Sequence, residues 1–202
     1  MNSDSRHEPR LRERLRAETA RAIAAAAEQV FAERGVRDAR MEEIAARAGV
    51  AVGTLYNHYA DRSALFAGLV ESRRQELARK LDGRLAGAEG EPFLSQLRSF
   101  AATVFEHFET HRAFLSIMLE SDSAHAASPS QAMVELRRRV DALVARGIDQ
   151  GALREQGREL WPAMLFGVIR GVLVHDLRNP GKLQLDERAR AVSGFFLHGA
   201  GA

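Results

Sequence analysis

The residues best suited to chemistry in this 202-residue chain are Val52, Gly53, Thr54, Tyr56 and Asn57. They share the outward side of a predicted short helix whose Val50, Leu55 and Tyr59 point inward. Amide and hydroxyl groups pair with donors and acceptors on base edges in a major groove, and small side chains permit close approach. A preceding helix is marked by Met41, Ile44, Ala45 and Ala48 at helical spacing. Gly49 ends it, as a residue free to take positive φ can. Helix, glycine turn and helix within Met41–Tyr59 make a helix-turn-helix. An ordinary helical hairpin would not place Tyr56 on the face exposed to water.

Other chemistries find less support. His107 and His111 stand four apart and could begin a metal site with Glu106, but no further ligand is spaced to complete it. They read instead as histidines on a helix surface. Serine, histidine and aspartate are all present without a strand-borne nucleophile elbow. No phosphate-binding glycine loop occurs, since Gly49 and Gly53 belong to the helix-turn-helix. The chain has no cysteine, which excludes disulfides and zinc thiolates. Arg170 lies in an apolar helix and needs a partner there, either a carboxylate such as Asp176 or one across a dimer, or the acid group of a ligand. No catalytic residue, metal or cofactor is expected.

The elements that must position the reading face are helical. Apolar residues make up 46% of the chain and no alternating β-branched run appears, so the fold is expected to be all-α. The start of the chain lacks a secretory signal. The longest apolar stretch, Leu160 to Val174, is too short for a membrane span and contains Arg170. A cytoplasmic protein is expected. Through Leu81 there are fifteen Arg and Lys against twelve Asp and Glu, and after it fourteen against fifteen. The basic tilt toward the first half suits nucleic acid. Arg6, Arg10, Arg12, Arg14 and Arg16 form a loose basic arm that either lies along DNA or is simply solvated. A long helix then runs from about Leu11 to Arg34, with Ile23, Ala27, Val30 and Phe31 as its buried stripe. Asp61 is a good N-cap for the helix after Tyr59, which Leu65, Phe66, Leu69 and Val70 hold to the core. Its continuation, Glu71 to Leu85, is highly charged and reads as mostly exposed.

Beyond the loop at Gly87 to Glu91, one helix carries Phe93, Leu97, Phe100, Val104 and Phe108, widened by Phe105. A shorter one carries Phe114, Leu115, Met118 and Leu119. Ser121 to Ser130 is polar, contains Pro129 and reads as a loop or mobile lid. Met133, Leu136, Val140, Leu143, Val144 and Ile148 mark the next helix. Phe and Met of this kind either fill a core or line an adaptable apolar cavity. Leu160 to Leu177 is apolar on nearly every face, so it needs a cover beyond its own core. Gly167 and Gly171 would let a partner helix approach closely. With Ala189, Val192, Phe195 and Phe196 of the last helix, this predicts a four-helix interface in a homodimer.

The stretch MEEIAARAGVAVGTLYNHYADRSALF at 41–66, preceded by FAERG at 31–35, resembles the TetR family of bacterial transcriptional regulators. The resemblance covers roughly the first 75 residues and is specific there. Two positions depart from it. Arg40 stands where the family usually has a capping Ser or Thr, leaving Asp38 to cap, and Ala51 stands where Ser is common. The resemblance implies residues 1–10 as an arm, 11–75 as the DNA-binding domain and 76–202 as a helical domain for ligand binding and dimerisation. It implies DNA contacts at Arg40, Ala51, Val52, Gly53, Thr54, Tyr56, Asn57 and His58. Arg62 takes the place of a family Lys that grips the DNA backbone. It also implies an apolar or amphipathic effector among Phe100, Val104, Phe108, Met118, Met133, Leu143, Trp161, Met164 and Arg170. The expected function is that of a dimeric repressor on a near-palindromic, double-stranded operator, released by that effector. The alternatives are a DNA-binding regulator without a small ligand and, in another class, a helical enzyme.

Overall fold

The computed structural model describes residues 7–88, 90–121 and 131–200, and among these the chain forms nine helices and no strand. The fold is all-α, with an N-terminal helix-turn-helix domain and a second helical domain. Two units emerge, Met1–Val70 and Glu71–Ala202, close to the division expected at residue 75.

The first unit begins with α1 (His7–Arg34). It starts before the expected Leu11, because Glu8 and Pro9 are both favourable in a first helical turn. Residues 1–6 of the expected arm, Arg6 among them, lie outside the described residues, while Arg10 is already helical. The stripe of Ile23, Ala27, Val30 and Phe31 is buried as its spacing demands. Against it lie α2 (Met41–Ala48), α3 (Val52–His58) and the first turns of α4 (Arg62–Ala86). Phe31 meets Phe66 edge-on at 5.9 Å, a favoured aromatic geometry. Met41, Ile44, Leu55, Leu65 and Leu69 complete this core. Each side chain so buried contributes about 1.5–3 kcal/mol.

The second unit comprises the rest of α4 with α5 (Phe93–Thr110), α6 (Arg112–Ser121), α7 (Gln131–Asp149), α8 (Trp161–Arg178) and α9 (Leu185–Ala200). The expected loop at Ser121–Ser130 falls outside the described residues after Ser121, which ends α6. The central element is α5, with Phe93, Leu97, Phe100, Ala101, Val104, Phe105 and Phe108 all buried, and α9 packs along it. Gln150 stands in for a helix cap, its Oε1 accepting from the Phe93 N–H at 2.7 Å. Gly147 lets α7 approach closely, since a Cβ there would come within 2.8 Å of the Phe93 ring. The reading of Glu71 to Leu85 as mostly exposed is corrected: Leu77, Ala78, Leu81 and Leu85 are buried.

Arg188 of α9 is 3% exposed and donates to Asp176 Oδ2 at 2.7 Å and Glu109 Oε2 at 3.1 Å. Its guanidinium also lies over the Phe105 ring at 5.6 Å. Arg112 of α6 donates to the Asp176 carbonyl at 3.2 Å. One charged cluster thus ties α5, α6, α8 and α9 together. None of the described helices is long and apolar enough to cross a membrane.

Removing one partner of a buried charge pair leaves the other uncompensated. Arg188→Ala is therefore expected to cost about 3–5 kcal/mol, measured by chemical denaturation followed through Trp161 emission, since that tryptophan belongs to the same unit.

Candidate nucleic-acid interface and ligand cavity

The presumptive reading helix is positioned from both ends. At the end of α2, Gly49 takes φ 68°. The Gly49 N–H then reaches the Ala46 carbonyl at 3.2 Å and the Val50 N–H the Ala45 carbonyl at 3.0 Å. This is the paired closure of a Schellman motif. Ala51 is extended and supplies its carbonyl to the N–H groups of Thr54 and Leu55, opening α3 with no side-chain cap. The seven-residue helix buries only Leu55. Tyr59 follows, half-buried against Gly68, where a Cβ would lie 2.6 Å from its ring. Asp61 caps α4 as expected, its Oδ1 accepting from the Ala64 N–H at 2.8 Å.

On the outward side, Ala51, Val52, Gly53, Tyr56 and Asn57 are exposed, while Thr54 and His58 are half-buried toward the core. Val52, Gly53, Tyr56 and Asn57 stand at i, i+1, i+4 and i+5, one continuous face of a helix. A Cβ built on Gly53 meets nothing within 4 Å. The fold therefore makes no demand for glycine there, and its smallness is turned outward. Arg40 is exposed at the start of α2 and makes no side-chain cap, nor does Asp38 supply one. The Arg62 guanidinium donates to the carbonyls of Arg37 and Ala39, the latter at 3.2 Å. It thus braces the α1–α2 connection before any phosphate is considered.

In the second unit a cavity of about 220 Å³ lies among α4 to α8. Of the residues expected to line it, Phe100, Val104, Phe108, Met118, Met133 and Arg170 do so. Leu143, Trp161 and Met164 do not line it. Leu143 is fully buried in the core, and Met164 is 47% exposed. Trp161 packs on Phe196 at 6.1 Å, its indole N–H donating to the Arg154 carbonyl at 2.9 Å. Arg170 stands on an exposed edge of α8, not in a covered one, and Asp176 is taken by Arg188 and Arg112. The wall also holds residues the sequence reading missed: Leu77 and Leu81 of α4, Phe114, Leu136, Val140, Phe166, Ile169 and Leu173. Leu77 and Leu81 stand four apart, a signal masked by the charges around them.

Four polar side chains interrupt this apolar wall: Arg73, Arg74, His107 and Arg170. His107 is 1% exposed, so it is no surface histidine. Its Nδ1 faces Glu76 Oε1 at 3.9 Å and makes no hydrogen bond. His111 Nε2 lies 3.3 Å from the same oxygen. Burial, followed by the neighbouring His111, pushes His107 down to about 4, so it is neutral near pH 7. Burial pulls the Glu76 carboxyl upward, but hydrogen bonds from His111 and Lys80 outweigh it and bring the group to about 2. Glu106, the partner suggested by sequence, instead faces Arg84 at 3.9 Å.

A short exposed helix after a glycine turn, on a three-helix support and followed by a helical domain with an apolar cavity, defines a helix-turn-helix protein. Residues 23–69 match the family described as bacterial regulatory proteins, tetR family. The N-terminal domain is thus similar in sequence to that family, over less than half of the chain. Over 58 residues it is 47% identical to the HTH-type transcriptional repressor BepR of Brucella suis biovar 1 (strain 1330). That match spans 29% of this chain and only 28% of the repressor's length. Among solved structures, the fatty acid degradation regulator FadR from Bacillus halodurans is similar, with TM-score 0.73 and 21% identity. The transcriptional regulator FadR from Bacillus subtilis, in complex with stearoyl-CoA, has TM-score 0.73 and 19% identity. Both matches cover 88% of this chain and 97% of the other, and at such identity they establish the fold.

Proposed function

We propose that this chain is a cytoplasmic transcriptional repressor, not a catalyst, which binds a near-palindromic operator as a homodimer and is released by a small apolar or amphipathic effector. The observation that carries the reading is the outward face of α3. Val52, Gly53, Tyr56 and Asn57 are exposed together, although the fold itself has no use for an exposed valine and tyrosine. The likeness of this domain to a named repressor supports the direction of regulation.

Dimerisation is supported by α8 and α9. Leu165, Ile169 and Leu173 of α8 are buried, while Met164, Gly167 and Gly171 are exposed. Phe195 of α9 is 67% exposed. A Cβ on Gly167 or Gly171 meets nothing within 4 Å, so both leave room for a second helix. A two-fold dimer matches two half-sites about one DNA turn apart. The apolar cavity supports an effector over a regulator lacking one. Stearoyl-CoA bound to the Bacillus subtilis relative makes amphipathic acyl compounds the first class to screen. The effector acts through α4, which carries Leu77 and Leu81 of the cavity wall and, in its first turns, Arg62 and the core of the DNA-binding unit.

Phosphate contacts position the protein and base contacts specify sequence. Arg40→Ala should weaken binding to all DNA and lower the salt slope by about one, whereas Asn57→Ala should relax preference at one or two base pairs. Selection of bound sequences and salt titrations check both, and unchanged sequence preference in Asn57→Ala would remove α3 from the groove. Phe195→Asp should yield monomers that bind the operator poorly. Sedimentation tests this, and a wild-type monomer at micromolar concentration would refute the dimer. Finally, an effector should reduce operator affinity about 5- to 150-fold, and operator should weaken effector binding by the same factor. Titrations with and without operator read both sides, and ligands bound equally in both conditions would exclude the switch.

A further inference from the structure

We infer that Glu76, His107 and His111 form a binding site for a divalent transition-metal ion of zinc type in the wall of the apolar cavity. Two imidazole nitrogens and a carboxylate oxygen are the donors zinc prefers when cysteine is absent. The three ligand atoms come from α4, α5 and the residue that ends α5, and lie within 4.8 Å of one another. With bonds of about 2.0–2.2 Å, a tetrahedral ion needs its ligand atoms about 3.4 Å apart. The edge between His111 Nε2 and Glu76 Oε1 is already 3.3 Å, and that between His107 Nδ1 and Glu76 Oε1 is 3.9 Å. The edge between His107 and Glu76 has a few tenths of an ångström to close, and the edge between the two imidazoles, within 4.8 Å, closes by side-chain rotation in the proposed site.

The independent observation is His107 Nδ1. It is buried, aimed at the Glu76 carboxylate and without a hydrogen-bond partner. Such an atom ordinarily carries a desolvation cost, and a bound ion would remove it. Two cations oppose the ion: Arg73 NH1 at 3.2 Å from Glu76 Oε2, and Lys80 Nζ at 3.1 Å from Oε1. Arg73 holds the oxygen the metal does not use and so orients the ligand. Lys80 is 38% exposed on a flexible stem, and its weak ion pair yields Oε1 by swinging into solvent. Three protein ligands leave a fourth position, and the cavity that His107 lines provides space for a water there.

The test uses the untagged, full chain, stripped with a chelator and titrated calorimetrically with zinc and spectroscopically with cobalt. One equivalent per chain is expected, with cobalt giving the visible absorption of a four-coordinate ion. Because His107→Ala also opens the core, the half-buried ligands carry the comparison. His111→Ala and Glu76→Gln should each weaken binding by more than the about 10- to 100-fold that loss of an outer supporting group costs, with helical content unchanged. Absence of stoichiometric binding, or variants that bind as the wild type does, would overturn the site. No DNA enters the measurement, so its outcome is separate from that of the repressor reading.

Discussion

A helix of seven residues cannot hold its own shape in water, and α3 is such a helix. Isolated helices shorter than about 12–15 residues are marginal even with good sequences, and α3 has no side-chain cap and a glycine at its second position. Its existence depends on where Leu55 goes. That side chain is fully buried in the core that Phe31, Ile44, Leu65 and Phe66 build from three other helices. The closed turn at Gly49 and Val50 sets where α3 begins, and Tyr59 against Gly68 sets where it ends. With the inward side so fixed, Val52, Gly53, Tyr56 and Asn57 carry no structural duty and are available to a groove. Arg62 contributes from the far side, holding the Arg37 and Ala39 carbonyls so that α2 starts in place.

The second unit solves a different problem. Its central helix, α5, is apolar around most of its circumference, and apolar packing alone specifies register weakly. Polar groups at both ends supply what packing does not. Near the start, Gln96 Oε1 accepts from Arg146 at 2.8 Å and its amide donates to the Glu91 carbonyl at 2.8 Å. Near the far end, Glu109 pairs with Arg188, which also holds Asp176. Between those ends the Phe100, Val104 and Phe108 side faces the cavity, while Phe93, Leu97 and Phe105 are absorbed in the core. The cavity exists because the polar groups fix the surrounding helices without filling the middle.

How much of this was legible follows from what periodicity encodes. It gives faces, and the faces of α1, α2, α5 and α7 agree with their stripes. Gly49 and Asp61 were readable because their roles are local, set by backbone angles and an i+3 hydrogen bond. Assignments that depend on which helix lies opposite were not. Leu143 shares the α7 face of Val140, yet it enters the core and Val140 the cavity. Trp161 shares α8 with Ile169 but is drawn to Phe196 and the Arg154 carbonyl. The partner of His107 and His111 was sought on their own helix, at Glu106, and lies on α4 at Glu76. A third group brought by tertiary packing leaves no spacing to find in the sequence. Arg170 was expected in a helix covered on every face, whereas one edge of α8 is open.

The cavity's size bears on how any switch could work. Pockets that hold small ligands run to about 300–1,000 Å³, and this one is about 220 Å³. A molecule that fitted the space as it stands would favour the conformation already present, and a ligand shifts an equilibrium only by its differential affinity for the two states. An effector that occupied the cavity fully would have to widen it. At α5 the wall is buried along its length and tied at both ends by charged or amide groups. At α4, Leu77 and Leu81 face inward from the highly charged stretch Glu71 to Leu85, where Arg139 holds Asp82 at 2.6 Å. At α8 the opposite face is open at Met164, Gly167 and Gly171. In the proposed switch, expansion would fall on α4, whose first turns belong to the N-terminal unit, and on α8, which carries the proposed dimer face. An effector larger than the present cavity would do the work of opening it on these two helices.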